Sequence, residues 1–129
     1  MPFWGGPDRR TSVRVQLRIT VRVELQGQPR FYEAISRDLS LSGARLLLHH
    51  QLDHCTPVTL QFRLPDALHD LYLSAHVVWS HDALASLDPK KGRSFAMGIE
   101  FVDPPREARR QLKAFVADRL KKEPERPPA

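Results

Sequence analysis

A chain of 129 residues, 41% hydrophobic and 27% charged, has the size of one domain able to bury one core. Its single cysteine, Cys55, excludes an intrachain disulfide, and no apolar run approaches the ~20 residues of a membrane-spanning helix. The formal charge of +5 is unevenly placed: residues 1–30 hold a surplus of four, residues 31–103 a deficit of three, and residues 104–129 again a surplus of four. Two basic ends around an acidic middle point to an anionic partner without naming it. The opening MPFWGGPDRR lacks the apolar stretch of a secretory signal, so the expected compartment is the cytoplasm, with no membrane insertion.

In chain order, Val13, Val15, Leu17, Ile19, Val21, Val23 and Leu25 alternate with polar residues and predict one long antiparallel strand over 13–25 with a wet face. Gln26–Pro29 supplies turn chemistry. Residues 31–37 and 43–48 read as two further strands, separated by Asp38-Leu39-Ser40-Leu41-Ser42-Gly43. Alternation at Val58, Leu60, Phe62 and Leu64 gives a fourth strand that Pro65 ends. Residues 71–80 and 94–101 give a fifth and a sixth, joined by a polar connection of hairpin type. The period then changes: Ala108, Leu112, Phe115, Val116 and Leu120 form one stripe on a helix. Asp103 is its expected N-cap and Pro104 its first residue. Six strands and a terminal helix without βαβ alternation predict a mainly β fold, a six-stranded antiparallel barrel with a C-terminal α-helix.

Two segments carry more chemistry than folding requires. Asp8-Arg9-Arg10-Thr11-Ser12-Val13-Arg14 places three guanidiniums within six residues beside Gly5, Gly6 and Pro7. Guanidinium suits bidentate contact with phosphate and with guanine edges, although a solvated basic arm has the same composition. In the second segment Asp38 and Ser40 offer acceptors on a tight turn, and Gly43 allows positive φ or close approach of a ligand. A carboxylate accepts from the N1–H and N2–H₂ groups of guanine; an ordinary turn would instead bond local backbone N–H groups. Trp79 is either an apolar floor for such a ligand or core packing. Arg18 and Arg22 extend the positive face of the first strand, or are simply solvated. His49, His50, His54 and Cys55 lack a second ligand pair at zinc spacing, so no metal is expected, and no catalytic motif is present, so no enzyme is expected.

Together, Arg10-x-x-x-Arg14 and Asp38-x-Ser40-x-x-Gly43 resemble the paired RxxxR and (D/N)xSxxG signature of the PilZ domain family. Ala75–Trp79 and Met97–Val102 look like that family's later strands, and the likeness covers residues 8–120. Residues 1–7 and 121–129 are then expected to be a flexible and a disordered tail. The resemblance implies a PilZ-type barrel that binds cyclic di-GMP on its outside, with no other cofactor. Arg10 and Arg14 would contact phosphate and guanine, Asp38 and Ser40 would bond a guanine, and Gly43 would let the loop approach. Arg9 completes RRxxxR, which in the family accompanies two stacked ligands rather than one. Binding would order the arm and change a surface seen by an unidentified effector protein. Two alternatives remain open: a nucleic-acid-binding β-barrel, although no DNA partner is expected, and a PilZ fold that acts only as a protein-interaction module.

Overall fold

The computed structural model describes residues 13–83 and 87–122. It contains β1 (Val15–Gln16), β2 (Thr20–Leu25), β3 (Phe31–Leu39), β4 (Gly43–Leu48), β5 (Pro57–Phe62), β6 (Leu71–Asp82), β7 (Phe95–Phe101) and α1 (Arg106–Lys122). Antiparallel pairing runs β2–β5–β6–β7–β4–β3 and returns to β2, so the sheet closes on itself and leaves no open edge. β1 pairs with β3 beyond the end of β2. The expected six-stranded barrel with a C-terminal helix is therefore present, its first strand delivered in two pieces.

That interruption corrects the reading of 13–25 as one continuous strand. Gln16 faces Asp38 and Thr20 faces Ile35, so the first strand carries one residue more than β3 over this stretch. Ser36 fills the break: its hydroxyl donates to the Leu17 carbonyl and accepts from the Ile19 N–H at 3.0 Å. Val15, Leu17, Val21 and Val23 stay buried on both sides of it, which is why hydrophobic alternation alone does not reveal the split.

Other boundaries also move. β3 extends through Asp38 and Leu39, so the turn is only Ser40–Ser42. β5 ends at Phe62 and β6 runs to Asp82. The connection after β6 holds a 3₁₀ turn at Pro89–Lys91, capped by the Asp88 side chain accepting from the Lys90 N–H. Asp103 is not the helix N-cap: its φ is 45°. α1 starts at Arg106, and the Pro105 carbonyl accepts its first helical bond from the Arg109 N–H at 2.9 Å. The residue before a proline is driven out of the helical region, so Pro104 cannot be helical ahead of Pro105. α1 reaches Lys122, two residues past the expected domain end. The rest of that tail, residues 1–7, and the arginines Arg9 and Arg10 lie outside the described residues.

The barrel is filled by Val23, Leu46, Leu48, Val58, Leu73, Val77 and Met97, all essentially inaccessible, and α1 adds Ala108, Leu112 and Val116. The interior void lined by Leu17, Val21, Leu46 and Phe62 measures about 10 Å³. That is about the room of one water molecule, too little for a nucleotide-sized ligand in that void. Among the described residues no helix is long and apolar enough to cross a membrane.

Candidate ligand-binding face

Residues directly opposite on neighbouring strands point to the same face of a sheet. Asp38 faces Arg45, Arg45 faces Gly98, and Gly98 faces Trp79. These pairings draw one row across the outside of β3, β4, β7 and β6. On the other side of Asp38, exposed Gln16 extends the row onto β1. Arg14, two residues before Gln16, shares its outward direction and is exposed. Arg14, the described end of the first segment, therefore approaches the second at β1–β3, and Trp79 belongs to the same face about 14 Å from Asp38 at ordinary strand spacing.

Two local irregularities create this row. The β3–β4 register shifts between Ser36 and Asp38, with Arg37 as the extra residue. Ser36 opposite Leu46 is buried in the barrel, whereas Asp38 opposite Arg45 lies on the outside. Likewise the β6–β7 register shifts between Val77 and Trp79, with Val78 as the extra residue. Strict alternation from Leu71, Leu73, Ala75 and Val77 would send Trp79 inward. A bulge re-aims the side chain that follows it, and both bulges here turn a chemically useful side chain outward.

Asp38 is only 5% exposed. Its Oδ2 accepts from Arg45 Nε at 2.6 Å, and Arg45 Nη2 joins the same oxygen. Its Oδ1 is buried with no hydrogen-bond partner among the described residues. The hydrogen bond to Asp38 holds the Arg45 guanidinium above its ordinary pKa, against the opposing effect of burial. A side-chain acceptor with an unfilled oxygen is thus fixed on the face. Buried polar atoms are normally satisfied, so Oδ1 marks a place for an incoming donor. Arg45 was missed in the sequence; its signal is hairpin register, since a tight turn at Ser40–Ser42 places residue 45 opposite residue 38.

Ser40 is occupied within the turn. Its Oγ accepts from the Ser42 and Gly43 N–H groups at 3.2 Å, and it also lies 3.2 Å from the Gly43 carbonyl oxygen. Gly43 serves a close approach of protein to protein: a Cβ there would overlap the Ile99 carbonyl oxygen of β7. Gly98 plays a matching part on the outer face, because a Cβ there would overlap the Trp79 indole. The half-buried indole thus lies over Gly98, stacked on His81 at 4.9 Å and 9°. Arg22 lies 3.6 Å from the Phe31 ring centroid and near Glu24, away from this row. Arg18 instead lines a groove with Arg37 and Arg119.

The histidines do not converge. His49 Nδ1 lies 3.1 Å from the Arg93 carbonyl oxygen, His50 stacks on Tyr32, and His54 Nδ1 lies 3.1 Å from the Cys55 Sγ. Among the described residues no group of three or more His, Cys, Asp or Glu is placed to hold a metal ion.

A closed antiparallel barrel with a helix after the last strand, carrying an Asp-x-Ser hairpin turn and a basic entry strand on its outside, defines a class of small β-barrel domains. Residues 8–118 match the PilZ domain, and the chain belongs to that family. Solved structures share the fold. The PilZ domain of YcgR from Escherichia coli, solved with c-di-GMP, superposes with a TM-score of 0.66 at 13% identity, covering 85% of this chain and 90% of that one. The PilZ domain of CeSA from a cellulose-synthesizing bacterium gives 0.58 at 18% identity, covering 84% and 98%. The Bacillus subtilis inhibitor of motility, MotI/DgrA, gives 0.65 at 19% identity over 87% of this chain, which spans about half (52%) of that protein. No curated protein matches the sequence.

Proposed function

We propose that this protein is a receptor for cyclic di-GMP, held against the outer row between Arg14 and Trp79. The observation that carries this reading is the Asp38 carboxylate, with Oδ2 taken by Arg45 and Oδ1 buried and unfilled. The Watson–Crick edge of guanine offers adjacent N–H donors that suit such an acceptor. Membership of the PilZ family and the c-di-GMP-bound structure of a PilZ domain with the same fold support the choice of ligand.

In this reading Arg14, with Arg9 and Arg10 of the preceding arm, neutralises the ligand phosphates and stacks on its bases. Trp79 supplies an aromatic surface, its indole lying in the space that Gly98 leaves. Ser40 and Gly43 act through the turn that presents Asp38, since the Ser40 hydroxyl is engaged there and Gly43 packs on β7. Arg9 adds a guanidinium for a second stacked ligand. Closing the arm over β1–β3 changes the surface that an effector protein meets, so part of the binding energy goes into ordering the arm. No covalent step is involved.

Titration calorimetry of the full chain with cyclic di-GMP tests the reading. Binding at micromolar ligand, lost in Arg10→Ala, Arg14→Ala and Asp38→Ala, is the expected result. Absence of heat would overturn it, as would binding indifferent to all three changes. Steeply salt-dependent binding of single-stranded nucleic acid, with no response to cyclic di-GMP, would favour the nucleic-acid alternative instead.

A further inference from the structure

Of the positive surplus at the C-terminal end, Arg119 reaches β1, where its Nη1 donates to the Gln16 carbonyl at 2.8 Å; the rest has no part in the face described above. It is concentrated on α1, in an arrangement that works against the helix carrying it. Arg106, Arg109, Arg110 and Lys113 stand at i, i+3, i+4 and i+7, all exposed. Like charges at these spacings repel, and cations in the first turns oppose the helix dipole. Arg110 alone among the four is compensated, by Glu107 with Nη2–Oε2 at 2.7 Å; Arg106, Arg109 and Lys113 have no ion pair with a described residue. Helix stability favours the opposite charge here, so the pattern answers to another requirement. Breaches of local rules of this kind mark functional surfaces.

Ala108 and Leu112 of α1 pack on the barrel core with Phe115 against them, and Val116 is buried on the same side, so the basic strip is turned to solvent. It surrounds a shallow depression lined by Pro104, Arg106, Arg109, Arg110 and Lys113. One helical repeat further on, the same face becomes small and apolar: Ala117 follows Arg110 by seven residues, and Leu120 follows Lys113 by seven. Leu120 is 46% exposed.

We infer that this face is a docking site for an acidic helical segment of a partner protein. Its basic half pairs with carboxylates, which the planar guanidinium grips in bidentate fashion. Ala117 lets a second helix come close, and Leu120 is an apolar anchor of the kind that fills a partner's pocket. A long polyanion fits less well. The cationic strip is interrupted after two turns by Ala117 and Leu120 before Lys121 resumes it, and it is bordered by Glu107 and Asp118, both with side chains 60% exposed. The inference is independent of the ligand reading, because none of the residues assigned to the ligand lies on α1.

The test uses the full chain and a fluorescent synthetic helix carrying Glu at i, i+4 and i+7 with a Leu one turn later. A control helix has Gln in place of Glu; duplex DNA and phosphatidylserine vesicles are the other probes. The Glu helix should bind in a salt-sensitive way and the Gln helix about tenfold more weakly, as expected when several exposed charge pairs are lost. Arg106→Glu/Arg109→Glu/Lys113→Glu should abolish binding while melting at or above the parent temperature, since the acids at 106 and 113 stand at pairing distance from Arg110 and the one at 106 suits the helix N-terminus. Leu120→Ser should weaken binding without a change in melting. No binding of the Glu helix, or equal binding of both helices, would overturn the inference. So would a charge-reversed chain that melts lower, or DNA or vesicles bound more tightly than the helix through the same cations.

Discussion

Asp38 and Trp79 are each turned to the outside of the barrel by a single extra residue, Arg37 in β3 and Val78 in β6, and they finish on one cross-strand row with Arg45 and Gly98 between them. The row sets an acidic acceptor at one end and an aromatic ring at the other. Gly98 leaves the space in which the Trp79 indole lies.

Replacing Asp38 by Asn keeps the size of the side chain and removes the charge. Calorimetry should show cyclic di-GMP affinity falling about ten- to a hundredfold, since a hydrogen bond to a charged group is worth about 1.5–3 kcal/mol. Arg45→Ala should instead act on stability, because it leaves a buried carboxylate without its donor. Urea unfolding should show a loss of about 1–3 kcal/mol. An unchanged midpoint would mean that the carboxylate does not depend on Arg45.

The two glycines of the site should fail differently. At Gly43 the obstacle to a Cβ is the Ile99 backbone, which cannot step aside without breaking the β4–β7 ladder. Gly43→Ala should cost about 1–3 kcal/mol or more, as overpacking does. At Gly98 the obstacle is the Trp79 side chain, which can swing away. Gly98→Ala should therefore leave the thermal midpoint nearly unchanged while altering near-ultraviolet circular dichroism and weakening ligand binding. Equal destabilisation by both changes would contradict this assignment.

Ser36→Ala removes the hydroxyl that bridges the break between β1 and β2. The Leu17 carbonyl and the Ile19 N–H would both lose a partner, and the expected loss in denaturant unfolding is about 1–3 kcal/mol. Hydrogen exchange should rise first at Leu17–Ile19. Because β1 leads directly from Arg14, ligand affinity should also fall.

Acid should destabilise the fold through exposed carboxylates with identified partners. Hydrogen bonds from Gln61 and then Arg63 hold Asp70 below its ordinary pKa; Arg110 and then Gln111 do the same for Glu107. A folded-state pKa below the unfolded one stabilises fully above the unfolded value, and that stabilisation is lost as pH falls through the folded value. Melting temperature should decline below about pH 4, and the decline should be shallower in Asp70→Asn/Glu107→Gln. An unchanged slope would show that these groups are already solvated as in the unfolded chain.

Much of the fold is legible from hydrophobic period alone. The inward residues of β2 and β5 are those that alternation selects; of the stripe Ala108, Leu112, Phe115, Val116 and Leu120, α1 buries Ala108, Leu112 and Val116, while Phe115 is half-buried and Leu120 is exposed. The reading loses accuracy where one side chain or one extra residue overrides the period. Ser36 splits a strand whose pattern is unbroken; Pro105 delays a helix whose composition would permit it to begin at Pro104. Arg45 escaped notice because its meaning depends on which residue it faces.

The order of the two motifs and the chemistry of their residues are properties of the sequence, and they suffice to place the chain in its family. Which side chains share a surface was decided by register. Side-chain direction in a strand reverses at every residue, so a single bulge transfers Asp38 or Trp79 from the core to the outside. Hydrophobic periodicity reports the average of a strand and is blind to one inserted residue. The hydrogen-bond ladders of a closed barrel resolve it, because both edges of β3 and β6 are paired and each register is fixed by its neighbour.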